Sequence, residues 1–180
     1  VRGVLKTLVK RGLVDVIVTT TGSLDHDLAR SWRPYYHGYF LADDEGLLKH
    51  GIHRLGNVFI PKESYGEVLE ERLRPFLEDL WKEGVRELST RELCKYLGER
   101  LAGKDSLLYW AAEKDIPVIL PGPLDGAVGS QLFFFQQSHR GFKIDLFKDE
   151  ALLSDIVFEA GRTGALIIGC LLYTSPSPRD

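Results

Sequence analysis

The chain has 180 residues, of which 44% are hydrophobic and 27% are charged, a composition typical of one globular domain with its own core. Its 23 basic and 26 acidic side chains give a net charge of −3, and the two signs are interspersed. Because nucleic-acid binding requires a basic face, this balance argues against nucleic acid as the main partner.

The sequence also argues against a membrane or metal-binding protein. Its longest strongly apolar stretch, residues 165–173, is less than half the length of a membrane span, and no signal peptide is recognisable. We therefore expect a cytoplasmic protein. Cys94 and Cys170 lack partners at ligand spacing, so no metal site is predicted. There is no methionine, even at position 1, and we expect the natural start to lie upstream.

The first third of the chain begins with a helix followed by a strand. Apolar side chains recur at helical spacing over residues 1–12, and Gly12 stands where a C-terminal cap would. The short β-branched run at 14–20 predicts a strand buried on both faces. Residues 35–66 show no sustained period, which indicates an irregular excursion carrying short strands.

The middle of the chain predicts two long helices. Residues 63–83 carry an apolar stripe, interrupted only by Pro75. A second helix is predicted at 90–102, because Ser89 and Glu92 have the spacing of a capping box. Both helices are expected to serve mainly in packing.

The remaining segments continue the alternation of helices with short apolar runs. We predict a helix at 106–115, a strand at 116–121, a loop opening into a helix at 125–137, a strand at 142–147, a helix at 149–161 and a strand at 164–169. This pattern is typical of an α/β fold with a mostly parallel sheet and helices on both faces.

Ligands of such sheets bind beyond the carboxyl ends of the strands. Three segments are expected at that edge: residues 19–22, residues 121–129 and Gly169. Neither a G-x-G-x-x-G motif nor a P-loop occurs, and Gly126 and Gly129 lack a third glycine. Motif spacing alone therefore leaves a nucleotide site and a simple strand turn both open.

The sequence "SLDHDLARS" at 23–31 predicts a short helix with Ser23 or Asp25 at its start. Its Asp25-His26-Asp27 cluster has two interpretations. The acids stabilise the helix start through the helix dipole, or two side chains face the crevice and hold a cationic amine. Asp125 likewise suits either a ribose contact or an Asp-Gly turn.

Four segments resemble the deoxyhypusine synthase family, in its archaeal-type branch. They are "VDVIVTTTGSLDHDLARSW", "GIHRLGNVFIPKESYG", "SLLYWAAEKDIPVILPGPLDGAVGSQLFFF" and "GALIIG", and the resemblance runs in register from residue 1 to about 169. It implies a Rossmann-like, NAD-dependent transferase. In this family the cofactor oxidises spermidine, and the aminobutyl group passes through an enzyme lysine to a lysine of the hypusine-bearing translation initiation factor precursor.

The resemblance also implies roles for individual residues in cofactor binding. Thr20, Thr21 and Gly22 match the family's NAD-contacting turn, and Asp125 matches a second acid that contacts NAD.

On the substrate side, Asp25 and His26 fall where many eukaryotic members have paired glutamates near the polyamine. Ser130 falls where those members have an aspartate that binds spermidine. The loss of carboxylates leaves another polyamine, or a homospermidine-forming reaction, open as alternatives.

The resemblance places the catalytic lysine beyond Gly169, where this chain reads "CLLYTSPSPRD". We therefore expect residues 1–169 to be an incomplete NAD-binding domain and 170–180 to be a non-native or disordered tail. The fragment alone is expected to be inactive, and its parent to be a homotetramer. The competing hypothesis is a non-catalytic regulatory paralogue, or a module that binds a polyamine or a dinucleotide.

Overall fold

The structure, a computed structural model, describes residues 2–169. Its helices are α1 (Arg2–Lys10), α2 (Thr21–Trp32), α3 (Asp44–Lys49), α4 (Gly66–Lys82), α5 (Thr90–Arg100), α6 (Leu107–Glu113), α7 (Ala127–Ser138) and α8 (Leu146–Glu159), with a 3-10 turn, η1 (Lys62–Ser64). Its strands are β1 (Ile17–Val18), β2 (Tyr36–His37), β3 (Ile52–Leu55), β4 (Val58–Pro61), β5 (Glu87–Leu88), β6 (Val118–Ile119) and β7 (Lys143–Ile144). Of the described residues, 2–149 belong to one compact unit and 150–169 to a second.

The parallel strands of the first unit form two pairs. β1 pairs with β6, and β5 pairs with β7, both in parallel. A hydrogen bond links the two pairs: the backbone N–H of Leu120, just after β6, donates to Oγ1 of Thr90, just after β5, at 2.8 Å. Helices connect these strands, which confirms the predicted α/β class with parallel pairing.

The segment 35–66 forms a separate antiparallel sheet in the order β2-β4-β3. The prediction of short strands here is confirmed. The short helix α3 was not predicted; the side chain of Asp43 caps it by accepting from the backbone N–H of Glu45. After the sheet, η1 leads the chain into α4.

The packing helices follow the sequence pattern closely. The capping box of Ser89 and Glu92 is present and starts α5 at Thr90. The apolar stripe of α4 is buried in the core, and its buried members are Val68, Leu69, Leu73, Phe76, Leu77 and Leu80. Burial of a continuous stripe on one face is what fixes such a helix against its neighbours.

Several predicted elements differ from the structure; the strand predicted at 142–147, for example, is limited to β7, and α8 already begins at Leu146. The helix predicted at 23–31 begins earlier, at Thr21. The strand predicted at 14–20 contains only two paired residues, and Val18 is 44% exposed, because β1 has one neighbouring strand instead of two. The strand predicted at 164–169 is wrong: these residues adopt no regular structure and pair with no strand within residues 2–169. Apolar character alone does not form a strand without a partner.

The predicted tail at 170–180 lies outside the described residues. Among residues 2–169, none of the helices combines the length and apolar character needed to cross a membrane.

Close approach of two helices depends on one glycine. A Cβ at Gly98 of α5 would collide with the carbonyl oxygen of Leu108 in α6 and lie 2.8 Å from Cβ of Ala112. In α1, by contrast, a Cβ at Gly3 would meet no described heavy atom within 4 Å. The two positions therefore form a matched pair for substitution.

We expect Gly98→Ala to lower the free energy of unfolding by about 1–3 kcal/mol, because the collision with backbone forces α5 and α6 apart. Gly3→Ala should instead raise it by up to about 1 kcal/mol through helix propensity. Urea unfolding followed by circular dichroism measures both. Equal stability of the two variants would contradict the close packing of α5 on α6.

Candidate active site

The segments that follow β1 and β6 meet at the carboxyl edge of this strand pair. Thr21, which is 1% exposed, donates its hydroxyl hydrogen to the carbonyl oxygen of Gly122 at 2.7 Å. A Cβ at Gly126 would lie 2.6 Å from Oδ2 of Asp25, so only glycine fits there without displacement. Of the three segments expected at this edge, residues 19–22 and 121–129 lie together. The third, at Gly169, follows no strand in the described residues.

Asp25 is fully buried at this edge, with 0% of its surface exposed. Its Oδ2 accepts from the backbone N–H of Ala127 at 2.7 Å and from the hydroxyl of Tyr65 at 2.8 Å, and its Oδ1 accepts from the backbone N–H of Val128 at 2.9 Å. The carboxylate therefore satisfies the first free N–H groups of α7. Direct contact between Asp25 and an amine stays a prediction, and this burial favours an indirect role.

Asp27 does the same for another helix. It is 3% exposed and accepts from the backbone N–H groups of Leu107 and Leu108, both at 3.1 Å, at the start of α6. The hydroxyl of Ser106 and the guanidinium of Arg2 complete its contacts at 2.5 and 2.6 Å. Each acid of the cluster thus stabilises a helix start, but not the start of its own helix.

The first turn of α2 differs from the starts of the other helices that follow parallel strands. Asp149 accepts from the first N–H groups of α5, Asp25 from those of α7, and Asp145 from the N–H of Phe147 in α8. In α2, the exposed N-cap Thr20 makes no capping bond and the first turn contains no acid. The first turn of α2, at the positive end of the helix dipole, therefore contains no carboxylate that would repel an anion.

His26 lies half-buried between two tyrosines. Its Nδ1 is 2.8 Å from the hydroxyl oxygen of Tyr35, and its ring stacks on Tyr65 with centroids 5.0 Å apart at 30°. Burial lowers the pKa of His26 below its ordinary value, an effect that Asp25 opposes and Arg30 reinforces. His26 is therefore neutral near pH 7.

The tyrosines themselves remain protonated. Burial raises the pKa of Tyr35 to about 12. Burial also raises the pKa of Tyr65, and its hydrogen bond to Asp25 adds to the effect. Sequence reasoning did not identify either tyrosine, because nothing in the local pattern distinguishes them from the chain's other aromatic residues.

The other predicted site residues lie on the surface of the loop and helix after β6. Asp125 is exposed, and its backbone N–H donates to the carbonyl oxygen of Gly122 at 3.1 Å. Ser130 is also exposed in the first turn of α7, and its hydroxyl donates to the carbonyl oxygen of Gly126 at 3.2 Å. Gly22, half-buried in the first turn of α2, leaves room for close approach, since a Cβ there would be 3.9 Å from Oγ1 of Thr20.

Within residues 2–169, no group of three or more histidine, cysteine, aspartate or glutamate side chains is arranged to hold a metal ion.

Comparison with known proteins gives one consistent family. The family model for deoxyhypusine synthase matches residues 1–172. Relatives from Picrophilus torridus and Thermoplasma acidophilum, each named probable deoxyhypusine synthase, are 52% and 49% identical over 168 residues. These alignments cover 93% of this chain and 54% of each relative, so the chain spans about half the length of these curated relatives.

A solved structure has the same fold. The crystal structure of a deoxyhypusine synthase homologue from Entamoeba histolytica superposes with a TM-score of 0.62 and 22% sequence identity. It covers 88% of this chain and 49% of that one.

We expect Asp25→Asn to lower the free energy of unfolding by about 2–3 kcal/mol. The amide replaces one acceptor oxygen with a donor that faces other donors at the buried start of α7. Asp125→Asn is the matched control in the exposed loop just before that helix, and it should leave stability nearly unchanged. Denaturant unfolding measures both, and equal loss in the two variants would contradict the role of Asp25 in holding α7.

Proposed function

Because this chain belongs to the deoxyhypusine synthase family, we propose that it forms the cofactor-binding part of an NAD-dependent transferase. In this proposal the aminobutyl group of spermidine is transferred to a lysine of the hypusine-bearing translation initiation factor precursor. The observation that carries the proposal is the start of α2, the one helix start after a parallel strand in residues 2–169 without a carboxylate on its first N–H groups.

The residues at the edge fit a dinucleotide. A phosphate group binds most favourably where backbone N–H groups are free and no carboxylate competes, and the N–H groups of Thr21 and Gly22 meet that condition. The exposed hydroxyl of Thr20 and the small surface of Gly22 allow close approach. Asp125, exposed in the neighbouring loop, would then accept hydrogen bonds from a ribose.

Bound at this edge by Thr20, Thr21, Gly22 and Asp125, NAD would supply hydride-transfer chemistry. The residues of this chain bind and orient the two ligands. We propose that His26 and Ser130 contribute to the amine side. Asp25 acts there as a positioning residue, because its oxygens hold α7 and Tyr65.

The complete transfer is proposed for a protein of the relatives' full length, of which this chain spans about half. The segment in which the resemblance places the nucleophilic lysine lies after residue 169. We therefore propose that this 180-residue chain binds NAD but does not complete the transfer alone. A tetrameric parent in the cytoplasm, where translation factors act, belongs to the same proposal.

Titration of NAD into the chain by isothermal calorimetry tests the cofactor site. We expect Asp125→Asn to weaken NAD binding about tenfold or more, since a hydrogen bond to a charged group contributes about 1.5–3 kcal/mol. Asp15→Asn is the control, because Asp15 is an exposed residue that precedes β1 at the opposite end of the strand. No NAD binding by the unmodified chain, or equal weakening by both variants, would overturn the assigned site.

An activity assay tests the rest of the proposal. The chain is incubated with NAD, spermidine and the acceptor protein, with the full-length Picrophilus torridus relative as the positive control. We expect product from the relative and none from the 180-residue chain. Product from the chain would show that it contains a sufficient nucleophile, contrary to the proposal.

A further inference from the structure

Tyr35 and Tyr65 hold His26 from two directions. The hydroxyl of Tyr35 is 2.8 Å from Nδ1, and the Tyr35 ring stands at 87° to the imidazole. Tyr65 stacks on the imidazole face at 30°. The hydroxyl of Tyr65 is itself bound to buried Asp25, so the plane of the histidine ring is tied to the same carboxylate that holds α7.

The second ring nitrogen of His26 remains open to solvent. Within the described residues 2–169, Nε2 makes no hydrogen bond. Every side-chain nitrogen or oxygen that is buried in that range does have a hydrogen-bond partner. Nε2 is therefore not enclosed. It is the ring atom that a ligand can reach.

The position of the single proton on neutral His26 decides what Nε2 can bind. An ammonium group only donates hydrogen bonds, so it needs an unprotonated ring nitrogen. The proton must then be on Nδ1 and be donated to the hydroxyl oxygen of Tyr35. The hydrogen bond made by one ring nitrogen determines which nitrogen carries the proton. The Tyr35 hydroxyl, by accepting from Nδ1, therefore keeps Nε2 unprotonated.

We infer that Tyr35 and Tyr65 are positioning residues that hold His26 as a neutral hydrogen-bond acceptor for a substrate amine. Tyr65 fixes the plane of the ring, and Tyr35 fixes the proton on Nδ1. This inference rests on the proposed function, since it names the chemistry of the amine side of the same site.

The charges around His26 give the inference a pH dependence. Asp25 and Arg30 act on the imidazole with opposite sign, while Tyr35 and Tyr65 stay uncharged at neutral pH. Burial holds the pKa of His26 below its ordinary value. Amine binding should thus be constant above about pH 6.5 and weaken as the pH falls through the pKa of His26, because protonated Nε2 no longer accepts.

Nitrogen NMR of the isotope-labelled 180-residue chain tests the proton position directly. At pH 7.5 we expect the signals of His26 to show a protonated Nδ1 and an unprotonated Nε2. Tyr35→Phe should shift both signals toward a mixture of the two tautomers. The control is Tyr36→Phe at the neighbouring exposed tyrosine. It removes a phenol hydroxyl that does not bond to His26 and should leave the signals unchanged.

Two variants separate the role of the Tyr65 ring from that of its hydroxyl. Tyr65→Leu removes the stacked ring and should broaden or move the His26 signals. Tyr65→Phe keeps the ring and should leave these signals close to those of the unmodified chain. A proton on Nε2 in the unmodified chain overturns the inference even if every variant fails to fold. Unchanged His26 signals in a folded Tyr35→Phe variant overturn it as well.

Spermidine titration, with NAD present, distinguishes this inference from the proposed function. We expect spermidine to move the His26 signals, and Tyr35→Phe to weaken its apparent affinity about tenfold while Tyr36→Phe does not. A correct proton position with no response to spermidine would overturn the proposed substrate. The reverse result, spermidine binding that Tyr35→Phe leaves unchanged, would overturn the positioning role.

Discussion

The buried carboxylate of Asp25 is the contact on which the candidate site depends. It joins α2 to the first N–H groups of α7 and to the hydroxyl of Tyr65, and so ties together the segments after β1, η1 and β6. A buried charge is tolerated only where hydrogen bonds replace its hydration, and the helix start supplies two of them. The positions of these segments at the edge therefore depend on the hydrogen bonds that the buried Asp25 carboxylate accepts.

The same device recurs in the parallel α/β part of the chain. Asp27 holds the start of α6, and Asp149, which is 3% exposed, holds the start of α5. Each acid comes from a distant part of the chain, so each cap is also a tertiary contact. Carboxylates accept from the first N–H groups at these helix starts, whereas among the helices that follow parallel strands within residues 2–169 the first turn of α2 contains no acid.

Sequence patterns predicted correctly those elements whose determining residues lie within a few positions of one another. The capping box of Ser89 and Glu92 and the apolar stripe of α4 are both short-range, and both predictions were confirmed. The strand predicted at 164–169 failed because strand formation depends on a partner that local sequence does not specify. β5 was missed, since two paired residues carry no periodic signal.

The Asp25-His26-Asp27 cluster shows where sequence reasoning reaches its limit. The two interpretations were a cap for its own helix and a rim facing a ligand. In the structure the acids cap α7 and α6, whose first residues lie 102 and 80 positions away from them, and only His26 between them reaches the surface. No spacing rule connects residues so far apart.

The most direct test of this account is a crystal structure of the chain with NAD bound. We expect a cofactor phosphate to accept hydrogen bonds from the N–H groups of Thr21 and Gly22, while Asp25 keeps its bonds to Ala127 and Val128. A phosphate on the first N–H groups of α7, with the Asp25 carboxylate displaced, would contradict it.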